Sequence, residues 1–172
     1  MIIRHAEKPA SSDRANGVTV DGAKDKNSLT VTGWTRAGAL VGLFGADGQP
    51  PREGLATPSR VIASVGGSES SHRPLETITP LAQRLGIAPN TQFTKDDTSA
   101  AADFARRQTG VTLMSWEHKR IRDLVRAFGQ VTPEPRDWPD DRFDMVWLLR
   151  PAGSGWALTE VAQMLLHGDG LI

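Results

Sequence analysis

The sequence predicts an α/β domain: a three-layer α/β/α sandwich on a mostly parallel mixed sheet, with a C-terminal β-hairpin at one edge. Three observations carry this. Short β-branched runs alternate with segments of helical periodicity along most of the chain. Reactive polar residues follow directly on three of those runs. Near the C-terminus, two strand patterns flank Pro151-Ala152-Gly153-Ser154, a hairpin signal. The 172 residues supply chain for one domain, residues 1–172.

Each element has its own reason. Met1-Ile2-Ile3 reads as the tail of a buried strand, against a usual length of about 5–6 residues. Strand 1 is therefore either very short or lacks its start, and a leader would be lost with it. Residues 5–28 are polar and read as a long loop, a length usually tied to function. Val31, Trp34, Ala37, Leu40, Val41 and Phe44 then share one helical face, with Gly45 as the stop. Residues 46–58 are a Gly- and Pro-rich loop, and residues 60–65 a buried β-branched strand. A small-residue loop covers residues 66–71.

Pro74 suits a first helical turn, Leu75, Ile78, Leu81, Ala82 and Leu85 form an apolar face, and Gly86 ends it. Residues 91–94 read as a short strand. Residues 100–108 read as a helix capped by Thr98 or Ser99. Residues 110–116 form the strongest central strand. Residues 119–128 are helical, with Ile121, Leu124, Val125 and Phe128 facing inward. Residues 129–142 form a Pro- and Asp-rich loop before the hairpin strands at 143–150 and 155–161. Trp34, Trp147 and Trp156 read as packing aromatics, and Trp138 as cover over the core, with the lining of a substrate pocket as its alternative.

Charge and composition remove several functions. Twenty Lys and Arg balance twenty Asp and Glu, so there is no basic footprint and no nucleic-acid partner is expected. Without cysteine there is no disulfide, thiolate metal site or Cys nucleophile. No run approaches the roughly 18 apolar residues of a membrane span, so no membrane partner is expected and the cytoplasm is the default location.

In open α/β sheets ligands bind beyond the carboxyl ends of the strands. Three polar segments would meet there: Arg4-His5, the loop from Ser64 to Arg73, and Glu117-His118. Two guanidinium forks suit an oxyanion with several equivalent oxygens. A neutral imidazole beside them can act as a nucleophile. Arg73 stands near a helix start, the wrong end of the helix dipole for a cation, which favours an anion nearby.

These residues also carry a resemblance. Arg4-His5-Ala6-Glu7-Lys8-Pro9 resembles the signature of the histidine phosphatase superfamily, with its phosphoglycerate-mutase-like fold. Leu29-Thr30-x-x-Gly33-x-x-Arg36-Ala37 resembles its first-helix motif. Ser64 followed by Arg73-x-x-Glu76-Thr77 resembles its second-arginine motif, and Leu81-Ala82-x-x-Leu85-Gly86 continues it. Trp116-Glu117-His118-x-x-Ile121 resembles the segment that carries the second histidine. The matches run in order from residue 2 to about 128.

The resemblance implies a metal-independent phosphatase without a cofactor. His5 would attack a phosphoryl group and form a phosphohistidine, while Arg4, Arg73 and His118 clamp its oxygens. A carboxylate would protonate the leaving group. Asp97 (with Asp96) lies at the family's usual interval, Glu7 is a rival, and some relatives have no donor and act on good leaving groups. Glu117 is expected to point away from the site if the strand persists to His118. The stretch Val65 to His72 is longer than the family's usual link, with His72 read as solvated.

The implied partner is a small phosphorylated substrate or a phosphohistidine protein. Ala6 in place of glycine and the small insertions argue against a mutase, because an open pocket admits water. A non-catalytic phosphate-binding or interaction module on the same fold is the alternative.

Overall fold

The computed structural model describes residues 1–9, 16–65 and 71–172. The expected loops at 5–28 and 64–73 lie partly outside the described residues. The elements in chain order are β1 (Ile2–Arg4), α1 (Val31–Leu43), β2 (Arg60–Ala63), α2 (Arg73–Leu85) and α3 (Thr98–Arg106). Then follow β3 (Thr112–Trp116), α4 (His118–Arg126), β4 (Val131–Thr132), β5 (Met145–Ala152) and β6 (Gly155–Ala162). The sheet order is β2-β3-β1-β5-β6-β4. β2, β3 and β1 pair in parallel, β5 runs antiparallel to both β1 and β6, and β4 runs parallel to β6.

The strands are apolar on both faces because both faces are covered, and alternation divides their side chains between two layers. Ile2, Ile62, Met114, Trp116, Met145 and Trp147 face one layer, where α3 and α4 contribute Ala101, Ala102, Ile121, Leu124 and Val125. Ile3, Val61, Ala63, Leu113, Val146 and Leu148 face the other, where α1 and α2 contribute Leu40, Leu43, Ile78 and Leu81. The expected three-layer sandwich follows from this split. Trp138 closes the first layer and packs on Trp147 with ring centroids 5.0 Å apart.

Local signals set the helix ends. Thr30 caps α1 by accepting from the Gly33 amide. Glycine at 33 is required by close approach: a Cβ there would stand 2.5 Å from the Glu7 carbonyl. Pro74 lies in the first turn of α2, and Gly86 closes the helix in the left-handed conformation at φ 67°.

Three local expectations need correction. Residues 91–94 do not form a strand: the bridge to β2 falls one residue earlier, at Ile62–Asn90, and within the segment the Phe93 carbonyl accepts from the Val65 N–H. α3 starts two residues earlier than expected, because Asp97 takes the cap position and turns its own carboxylate back to Thr94. Within the 129–142 loop, Val131 and Thr132 add β4 along the hairpin's outer strand. Among the described residues, no helix is long and apolar enough to cross a membrane.

Candidate active site

The parallel strands β1 and β3 end side by side, and the His5 amide donates to the Trp116 carbonyl at 3.0 Å. β2 ends beside them, with the Ser64 amide donating to Ser115 at 3.1 Å. This is the sheet edge where ligands of open α/β folds bind. It brings Arg4, His5 and His118 together.

Arg4 is buried under the ring of Phe143, its guanidinium carbon 3.8 Å from the ring centroid. Nη1 donates to the carbonyls of Asp140 at 2.6 Å and Arg142 at 3.0 Å, with Pro139 at 3.4 Å. Nε is enclosed and has no hydrogen-bond partner among the described residues. Burial lowers the Arg4 pKa to about 10, against the opposing field of Asp140, Glu117, Asp141 and Glu7. The side chain remains a cation at neutral pH.

His5 is 2% exposed. Its Nδ1 lies 2.8 Å from the Ala6 carbonyl. A carbonyl only accepts, so Nδ1 carries the proton and Nε2 of the neutral ring keeps its lone pair. Burial lowers the His5 pKa to about 3, and Arg4, Arg73 and Lys8 push the same way against the Ala6 bond. The ring is therefore neutral throughout the physiological range.

His118 is the first residue of α4 and is buried. Its ring meets that of His5 edge-on at 6.5 Å. Nε2 lies 2.8 Å from Asp140 Oδ1, while Nδ1 is enclosed, 3.5 Å from Glu117 Oε1, with no hydrogen-bond partner among the described residues. The strand ends at Trp116, so the alternation that would turn Glu117 away from His118 does not reach it. Burial and the charge of Arg4 lower the His118 pKa, while Glu117 and Asp140 oppose them.

Arg73 opens α2 and its charge acts on His5. Its Nη2 donates to the Lys26 carbonyl at 2.5 Å and its Nε to Ser28 at 3.3 Å. Burial lowers the Arg73 pKa, with Glu76 and Asp25 opposing. The Glu76 carboxylate accepts from Ser28 Oγ and the Leu29 amide, which fixes the loop that Arg73 grips. Thr77 Oγ1 donates to the Arg73 carbonyl at 2.7 Å and accepts the Ala6 amide at 2.8 Å. One hydroxyl thus joins the residue after His5 to the start of α2. In Thr77→Val the buried Ala6 amide loses its acceptor. The expected result is about 1–3 kcal/mol of lost stability, read from denaturant unfolding, with a lowered kcat in any His5-dependent reaction.

The three carboxylates expected as proton donors are engaged elsewhere. Glu7 Oε1 accepts from Arg36 Nε at 2.9 Å and Nη2 at 2.8 Å, while its enclosed Oε2 has no hydrogen-bond partner among the described residues. Asp97 is exposed and accepts the Thr94 amide and hydroxyl, bonds that lower its pKa. Asp96 pairs with Arg120. Neither Asp96 nor Asp97 has a described contact with Arg4, His5, Arg73 or His118. His72 is exposed at the cap of α2.

Sequence reasoning missed Asp140 and Phe143, which come from the Asp- and Pro-rich loop before β5. Their only signal in the chain is the polar run Pro139-Asp140-Asp141. It also missed the tail, where Asp169 Oδ1 accepts from Arg36 Nη2 at 2.7 Å.

No family model and no curated protein matches this chain. Solved structures do. The product of the open reading frame Rv3214 from Mycobacterium tuberculosis is 14% identical, with 95% of this chain and 96% of that chain covered at a TM-score of 0.52. A protein called mycobacterial hydrolase 1 is 11% identical, with 94% and 95% covered at a TM-score of 0.47. The first of these likenesses is a likeness of fold, and it spans nearly the whole of both chains.

Proposed function

We propose that the chain is a metal-independent phosphatase that hydrolyses a phosphomonoester or phosphoramidate through a phosphohistidine on His5. One observation carries the reading. A buried, neutral imidazole keeps its Nε2 lone pair because Nδ1 is committed to Ala6. Around it stand the cations Arg4 and Arg73 and two enclosed, unbonded nitrogens, Arg4 Nε and His118 Nδ1. A buried donor without a partner, such as Arg4 Nε, is costly, and an anion that accepts from it removes the cost; His118 Nδ1 becomes a second donor when the ring is doubly protonated.

In the first step, Nε2 forms a bond to phosphorus as the bond to the leaving oxygen or nitrogen breaks, and the leaving atom keeps the electron pair. Water then attacks phosphorus. The P–N bond breaks, its electron pair returns to Nε2, and the water's proton leaves with the product or solvent. Arg4, Arg73 and His118 neutralise the equatorial oxygens in both transition states.

Glu7 is ion-paired with Arg36 through Oε1, its Oε2 having no hydrogen-bond partner among the described residues, and Asp97 is turned to Thr94. Help from a protein acid is therefore weak, and good leaving groups should react best. That favours a phosphoramidate, such as the phosphohistidine of a small molecule or a protein, over an alkyl phosphate. The test is hydrolysis of phosphoramidate, p-nitrophenyl phosphate and glycerol phosphate in EDTA, with acid- and base-quenched capture of labelled protein. Turnover is expected to fall in that order by at least about tenfold overall. A base-stable, acid-labile label on His5 is expected. Hydrolysis without any His5-dependent label would overturn the reading.

A further inference from the structure

Asp140 touches both halves of the anion clamp. Its carbonyl accepts from Arg4 Nη1 at 2.6 Å, and its side-chain Oδ1 lies 2.8 Å from His118 Nε2. The main chain around it is held firmly. Arg4 also takes the carbonyls of Pro139 and Arg142, Trp138 Nε1 donates to the Arg142 carbonyl, and the Arg142 guanidinium pairs with Asp144. The Asp140 side chain itself is 83% exposed. A carboxylate on a fixed backbone, resting on a buried imidazole, is the arrangement by which proteins orient a working histidine.

We propose that Asp140 is a positioning residue for His118: its carboxylate accepts the Nε2 proton, sets the ring's orientation, and favours the cationic form that donates to a bound phosphoryl oxygen. This rests on the phosphoryl-transfer reading of the site.

The groups facing His118 define what Asp140 has to do. From β1 come Arg4, a cation that opposes a charged His118, and the His5 ring at 6.5 Å. From its own segment comes Glu117, with Oε1 3.5 Å from Nδ1. From the loop before β5 comes Asp140. Burial and Arg4 favour the neutral ring, and the two carboxylates favour the cation. Of the two, only Asp140 is at hydrogen-bond distance, so it fixes geometry as well as charge. A neutral imidazole offers one N–H. A doubly protonated one can hold Asp140 through Nε2 and still donate from Nδ1, the enclosed nitrogen that lacks a partner.

The experiment compares the wild type with Asp140→Asn and Asp140→Ala. The control is Asp137→Asn in the same loop, where Asp137 is equally exposed and pairs with Arg122. Two quantities are read on the full chain: the His118 titration midpoint by NMR, and the pH profile of p-nitrophenyl phosphate hydrolysis.

Both Asp140 variants are expected to lower the His118 midpoint. The alkaline limb of kcat/KM should shift down with it, and kcat/KM above that limb should fall roughly tenfold. Melting temperature should stay close to wild type. Asp140→Asn keeps an acceptor and should retain more kcat than Asp140→Ala, whereas Asp137→Asn should leave midpoint and profile unchanged. An unmoved His118 midpoint in both Asp140 variants, or an equal shift in Asp137→Asn, overturns the proposal. A shifted midpoint in a protein with no His5-dependent hydrolysis overturns the phosphatase reading alone and leaves the Asp140–His118 pair standing.

Discussion

His5→Ala is expected to lower the turnover of p-nitrophenyl phosphate by about 10³-fold or more, because it removes the proposed nucleophile. Phosphate affinity should survive, since the proposed clamp of Arg4, Arg73 and His118 is left in place. Measured together, kcat and the phosphate dissociation constant separate a phosphatase from a phosphate-binding module. A module would show no turnover to lose, and residual turnover near the wild-type level would remove His5 from the reaction.

The same variant tests the electrostatics. Burial holds the His5 pKa at about 3 in the folded chain, against about 6.5 when unfolded. The folded-state pKa is depressed, so the unfolded chain binds the extra proton between these values. This contribution to stability is fully present above about pH 6.5 and is lost as pH falls toward 3. Between pH 7 and pH 4 the wild type should lose about 3 kcal/mol through His5. His5→Ala should lose that much less, as read from unfolding curves at the two pH values. Equal losses in both proteins would mean that His5 is not held neutral by burial.

Arg36→Met is expected to produce the largest loss of stability. The Arg36 side chain is 4% exposed and pairs with Glu7 and with Asp169, which is itself 5% exposed. It also donates to Gln163 at 3.1 Å. Burial would raise the Asp169 pKa. Hydrogen bonds from Arg36 and from the Leu166 and Leu165 amides instead hold it at about 2. Removing the guanidinium leaves two carboxylates without their cation, at a cost of about 3–5 kcal/mol. For a chain of this length that is a fall in melting temperature of about 10 °C.

The tail should loosen with it, because Asp169 also accepts the amides of Leu165 and Leu166. Limited proteolysis near residues 163–172 reads that directly. Adding Asp169→Asn to Arg36→Met should recover part of the loss. A loss under about 1 kcal/mol would show that the network contributes little.

The helices were legible because each carries its own evidence. An apolar face at helical spacing, a capping Thr30, a Pro at the first turn of α2 and a Gly at its end all lie within a few residues of the structure they specify. The strands were legible as buried β-branched runs, and the order of elements placed their carboxyl ends on one edge. Arg4, His5 and His118 could be grouped for that reason. β4 was not legible, because two residues have no periodicity and owe their extended form to the neighbouring β6. The segment 91–94 carried a strand-like composition, but the bridge to β2 stops at Asn90, just before it.

The division has a physical basis. The sequence by itself determined the layers, because burial on two faces is written into every strand and one face into every helix. It also determined which reactive side chains leave the ends of β1 and β3. The tertiary structure alone decided their partners. Arg4 meets carbonyls 135 to 138 positions away, His118 meets Asp140 across 22, and Arg36 meets Asp169 across 133. Contacts of that kind depend on where loops return after the sheet has formed. A polar loop residue carries no periodicity that announces its destination. The nucleophile candidate could therefore be read from the chain, whereas the carboxylates could be sorted only by geometry: Glu7 to Arg36, Asp97 to Thr94, and Asp140 to His118.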